Sequence, residues 1–146
     1  MRAFHNFATK QPVARMREYI DVLRRSWEFL GDNSSTPFEG EHFWFRPPKL
    51  NPWGARHLAR PEIPIYLAAM GPQMLRLCGG HADGWIGYFV TPKMLETFIR
   101  PNLAAGAARV GRDESRIEVC VEMVCSISAD RELAVLTTDV GDGVAW

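Results

Sequence analysis

The chain has 146 residues, 17 Lys+Arg against 17 Asp+Glu, no formal net charge and 47% apolar residues. So even a balance, without a Lys/Arg block, makes no field to gather nucleic acid or anionic lipid, and no apolar run approaches the roughly 18 residues that span a bilayer. No nucleic-acid and no membrane partner is expected; the opening MRAFHN lacks the apolar core of a secretory signal, so a soluble, cytoplasmic chain is expected. Cys78, Cys120 and Cys125 have neither C-x-x-C spacing nor a His-x-x-x-His partner, so they read as reduced packing residues and no metal site is expected.

Val13, Met16, Ile20, Leu23, Trp27 and Leu30 recur once per helical turn, with charged residues on the other faces, which predicts an amphipathic helix over 12–30. Pro12 suits its first turn and Gly31 its end. Residues 31–61 show no sustained period. They hold Pro37, Pro47, Pro48, Pro52 and Pro61 together with Phe38, Phe43, Trp44, Phe45 and Trp53. A disordered linker lacks such rings, so this insertion is expected to pack against something, with a short β-pair around Gly40.

From residue 62 the pattern changes. Ile63 to Ala69 is almost continuously apolar, as in a strand buried on both faces of a parallel sheet. Gly71-Pro72 turns into a short helix, Gln73 to Cys78, expected to end at Gly79-Gly80. A second apolar run covers Gly84 to Val90. Thr91-Pro92 opens another helix, expected to break at Pro101 and resume from Asn102 to Val110. A third strand is expected from Ile117 to Ser128 and a helix start at Asp130 to Leu133. Residues 134–146 lose the charged helical pattern. Strands alternating with helices imply right-handed βαβ units and an α/β fold. Three parallel strands leave two apolar edges unpaired, so association with other chains is expected.

The most informative spot is the turn Ala68-Ala69-Met70-Gly71-Pro72. Where a helix follows the carboxyl end of a parallel strand, its free N–H groups and dipole stabilise an anion, and small residues let a ligand reach the backbone. The same small residues would also permit tight strand-to-helix packing. G-x-G-x-x-G and G-K-[ST] are absent. Glu118 and Glu122 share a strand face with Cys120 between them. They could serve acid–base chemistry, but a structural hydrogen-bond network is the preferred reading. His5, His42, His57 and His81 have no partner at catalytic spacing. No catalytic residue is assigned.

The stretch RPEIPIYLAAMGP over 60–72, followed by ADGW over 82–85, resembles the luciferase-like monooxygenase family, and within it the branch that uses the deazaflavin coenzyme F420. Arg17-Glu18-Tyr19, Arg100-Pro101-Asn102-Leu103 and Gly111-Arg112-Asp113 fit in order and spacing. The resemblance implies a (β/α)8 TIM barrel with F420, or alternatively FMN, at the carboxyl ends of the strands, transferring a hydride to or from an organic substrate. A complete barrel takes about 250 residues. The chain is therefore expected to be one partial barrel over 1–146, lacking the amino-terminal half and the last strand: a helix at 12–30, the insertion at 31–61, three βα units at 62–133 and an atypical tail at 134–146. A truncated or frame-shifted reading frame would explain this. The resemblance places the cofactor's phosphate side at Ala69, Met70, Gly71, Gln73 and Met74, and Tyr88 toward the substrate. It also implies that the chain is inactive alone. The alternative is a non-catalytic partial barrel acting through self-association, as a homo-oligomer, or through pairing with a complementing fragment.

Overall fold

A computed structural model of the chain describes residues 10–32, 36–49, 62–123, 125–130 and 132. The first helix, α1, runs Pro12–Asp32, passing through Gly31 instead of stopping there. Ile20 is its buried centre, with Val13, Met16, Leu23 and Trp27 half-buried beside it. At the end of the stripe Phe29 takes the buried place expected for Leu30, because its ring packs edge-on to Phe45 with centroids 6.3 Å apart.

Strands β1 (Phe38–Glu39) and β2 (Trp44–Phe45) pair antiparallel, forming a hairpin around Gly40. Glu18 fastens it to α1: its buried carboxylate accepts the N–H groups of Glu41, His42 and Phe43 at 3.0, 2.8 and 3.0 Å. A Cβ on Gly40 would run into that carboxylate, so only glycine allows the approach. Burial by itself would raise the Glu18 pKa. The three N–H donors and the neighbouring His42 outweigh it and hold the carboxyl below its ordinary value. Trp53 and residues 50–61, the rest of the expected insertion, lie outside the described residues.

Strands β3 (Tyr66–Leu67), β4 (Gly84–Tyr88) and β5 (Glu118–Glu122) form a parallel sheet in that order. Leu67, Ala69, Trp85, Val119 and Val121 face the covering helices, where they pack with Leu75, Cys78, Ile99 and Leu103. Alternation then turns Tyr66, Ile86, Tyr88, Glu118, Cys120 and Glu122 to the opposite, open face. The paired ladders are shorter than the apolar runs suggest. Of Ile63 to Ala69 only Tyr66 and Leu67 pair, and β4 ends at Tyr88 because Phe89 has φ +54°, outside the strand region. Ile117 to Ser128 is a ladder only over Glu118–Glu122, since β4 offers no partner beyond Tyr88.

Two helix expectations are corrected. Helix α2 spans Pro72–His81, so Gly79 and Gly80 lie within it and do not end it. A Cβ at Gly79 would collide with the Leu103 carbonyl, and one at Gly106 with the Arg76 carbonyl, so the glycines let α2 and the helix carrying Gly106 touch backbone to backbone. Pro101 causes no break either. After the short α3 (Pro92–Met94) the chain winds as a π-helix over Leu95–Ile99 and continues into α4 (Arg100–Arg109). Arg100 N–H bonds the Leu95 carbonyl five residues back, and this wider turn accommodates the proline ring and its missing donor. Thr91 caps α3 as expected, accepting Met94 N–H at 3.1 Å, and Gly111 turns the chain after α4 with φ +68°.

The amino ends of the strands are locked by Asp83. Its carboxylate accepts Ile65 N–H at 2.8 Å, pairs with Arg24 of α1 at 3.2 Å and lies 4.0 Å from Arg112, which also donates to the Ala82 carbonyl. One side chain thereby joins α1, β3, β4 and the loop after α4. Near the carboxyl end, Glu132 is helical and its N–H bonds the Asp130 carboxylate at 2.9 Å; Leu133 and the tail 134–146 are outside the described residues. No helix among the described residues is long and apolar enough to cross a membrane.

Candidate functional site

The turn after β3 is built by Trp85. Its indole N–H donates to the Ala69 carbonyl at 2.7 Å from within the core, and Gly87, where a Cβ would strike the Trp85 ring, gives the indole room to lie along β4. Ala69 itself is buried with its carbonyl engaged, so it shapes the turn. The residues after it are open. Met70 is 72% exposed, Gly71, Pro72 and Gln73 are exposed, and Met74 is half-buried.

Gly71 is the N-cap of α2 and no side chain caps the helix. Pro72 has no N–H, and the Leu75 N–H is the first to bond back, to the Gly71 carbonyl at 2.9 Å. The Gln73 and Met74 amides thus remain at the positive end of the helix dipole without a backbone partner among the described residues. Space around the turn is free, since a Cβ at Gly71 would meet nothing within 4 Å. Gln73 also borders a groove of about 360 Å³ that it shares with Gln11, Pro12, Val13, Ala14 and Arg17 of α1 and the residue before it. Arg17 lines the same groove and is permanently charged, so its charge adds to that of the open helix end in favouring an anion on this side of the fold. Sequence reasoning missed Arg17 because α1 and α2 are neighbours only in the fold.

Tyr88 ends β4 on the open face, 53% exposed, its ring 3.9 Å centroid to centroid from that of Phe89. Glu122 is its register partner on β5. The three acidic and thiol side chains of β5 do share one face, but they are not equivalent. Glu118 accepts a hydrogen bond from the Tyr66 hydroxyl, whose ring crosses β4 over Gly84. That carboxylate, with smaller contributions from burial and nearby charges, pushes the Tyr66 pKa up to about 12. The pair sits at the amino end of the strands, away from the open turn, so Glu118 belongs to the structural network. His81 closes α2 at the same amino end, and burial, the largest influence, lowers its pKa. Cys78 is buried with its thiol on the Gly84 carbonyl at 3.3 Å, and burial pushes its pKa up to about 11, so it is not a nucleophile.

Comparison with known proteins matches this arrangement to larger enzymes. The F420-dependent glucose-6-phosphate dehydrogenase of Rhodococcus erythropolis is 36% identical over 134 residues, covering 88% of this chain and 36% of that protein. The solved tetrahydromethanopterin reductase of Methanopyrus kandleri, which depends on coenzyme F420, superposes with a TM-score of 0.71 at 28% identity over 87% of this chain and 34% of its own. An F420-dependent secondary alcohol dehydrogenase in complex with an F420-acetone adduct gives a TM-score of 0.71 at 23% identity, covering 92% of this chain and 39% of that one. The chain therefore spans between 34% and 39% of the length of these three. Its parallel β3-β4-β5 sheet and helices are an unclosed part of a (β/α) barrel. The family model for luciferase-like monooxygenases matches residues 1–138, and the chain belongs to that family.

Proposed function

We propose that this chain is the portion of an F420-dependent oxidoreductase that holds the cofactor's anionic side and part of the substrate pocket. The observation that carries the reading is the open amino end of α2: the uncapped Gln73 and Met74 amides and the unobstructed Gly71 follow the carboxyl end of β3, and Gln73 borders a groove that Arg17 also lines. Met70 contributes through its backbone. When bound, the deazaflavin carries the hydride; the chain's residues bind its charged end, orient it across the sheet and exclude water on the helix side. Tyr88 lies on the substrate side. FMN is the second cofactor choice, because its phosphate would meet the same donors. Monooxygenation is the second reaction choice. Three unpaired cysteines suit a reducing cytoplasm.

Titration with F420 and with FMN tests this. The expected result is a fluorescence change at micromolar F420 that weakens at least tenfold in Gln73→Glu, which adds a negative charge beside the amides without altering the core. No response to either cofactor from folded protein would defeat the proposal.

A second reading has its own observation. Both edges of the three-stranded sheet, β3 and β5, lack a partner strand among the described residues, and Met123 and Ile127 beyond β5 are 73% and 98% exposed. These features favour association with another copy or a complementing fragment. Elution as a multimer without any cofactor response would favour that reading.

A further inference from the structure

Resting on the cofactor reading above, we propose that Tyr88 and Glu122 determine specificity, selecting an unphosphorylated, hydroxyl-bearing substrate. The two residues are register partners at the carboxyl end of β4 and β5 and lie on the same open face. Neither side chain has a hydrogen bond or ion pair with any described residue, whereas Glu118, on the same face, is committed to Tyr66. A phenol that donates beside a carboxylate that accepts matches an alcohol, which accepts through its oxygen and donates through its hydrogen. The Tyr88 ring, backed by Phe89, supplies an apolar wall next to that polar pair.

Charge sharpens the class. Along β3, β4 and β5 the open face presents Tyr66, Gly84, Ile86, Tyr88, Glu118, Cys120 and Glu122, with no lysine or arginine. Lys93, the nearest basic residue in sequence, is on α3, off the sheet. Positive character sits instead at the amino end of α2 and on Arg17, which lines a groove with Gln73. A phosphate group, carrying about −1.5 to −2 charges at neutral pH, is therefore drawn to the cofactor's corner and repelled from Glu122. Among the described strand residues, this face offers a phosphate no positive charge.

Glucose and glucose 6-phosphate differ only by that phosphate, so they make the decisive pair. In the full chain saturated with F420, amide chemical shifts of Tyr88 and Glu122 are followed by NMR against glucose, glucose 6-phosphate and cyclohexanol. Expected is binding of glucose and cyclohexanol at these amides, at least tenfold tighter than glucose 6-phosphate, with Glu122→Gln closing the glucose gap to about twofold and Tyr88→Phe weakening both neutral compounds. Equal or tighter binding of glucose 6-phosphate, or no shift at either amide with any of the three, overturns the proposal, and the wild-type ratio decides even where a variant fails to fold. F420 binding is read separately by its own fluorescence. Its absence defeats the cofactor reading, whereas its presence without a hydroxyl preference defeats only this one.

Discussion

The indole nitrogen of Trp85 lies 2.7 Å from the Ala69 carbonyl oxygen, so a core side chain on the middle strand holds the turn that follows its neighbour. The core and the candidate anion corner are mechanically one unit: what packs behind β4 decides where the Gly71 end of α2 points. Trp85→Phe keeps the ring but leaves a buried carbonyl unpaired. It is expected to cost about 1–3 kcal/mol in urea unfolding and to weaken F420 binding in the same variant. Unchanged affinity in a destabilised variant would show that the turn holds its shape without the indole.

Gly79 and Gly106 sit where α2 and α4 cross with backbones in contact. Gly79→Ala and Gly106→Ala are each expected to destabilise by up to about 2 kcal/mol net, because an overpacking cost of about 1–3 kcal/mol is only partly offset by the roughly 1 kcal/mol that alanine adds to helix propensity. Gly31→Ala, where a Cβ would meet nothing within 4 Å, should be neutral or raise the melting temperature. A stabilising Gly79→Ala would mean that the two helices are not in such close contact.

Glu18 makes the hairpin's attachment sensitive to acid. Its pKa in the folded chain is below the ordinary value of 4.5, so its contribution is complete above that value and is lost as the pH falls below it. Tm measured between about pH 6 and pH 3 should fall more steeply for the wild type than for Glu18→Gln, which cannot titrate and starts lower. Parallel curves would remove Glu18 from the account of acid sensitivity.

Tyr66 should ionise well above the ordinary tyrosine value of 10.0. Held at about 12 by the Glu118 carboxylate, it binds its proton more tightly folded than unfolded, so this contribution is present below about 10 and lost as the pH rises through 12. Ultraviolet titration of phenolate absorbance should resolve a late step that Glu118→Gln returns toward 10.0. A wild-type Tyr66 that ionises near 10.0 would rule out the hydrogen bond.

Residue order alone determined the regular parts. The stripe from Val13 to Trp27 made α1 legible, continuous apolar runs marked β3 and β4, and Gly71-Pro72 marked the start of α2. These are local properties, set by periodicity and by backbone preferences within a few residues. The tertiary structure decided everything that depends on a distant neighbour. Gly79-Gly80 looks like a helix stop until α4 lies against it, and Pro101 looks like a break until a π turn accommodates it. Glu18 is one more acidic residue on a helix until three hairpin amides close around it. Glu118 and Glu122 are indistinguishable in the sequence, yet only the first is reached by the Tyr66 hydroxyl across Gly84. Arg17 joins the α2 corner across more than fifty intervening residues. Spacing along the chain predicts which face a side chain occupies; which partner it meets there is set by packing.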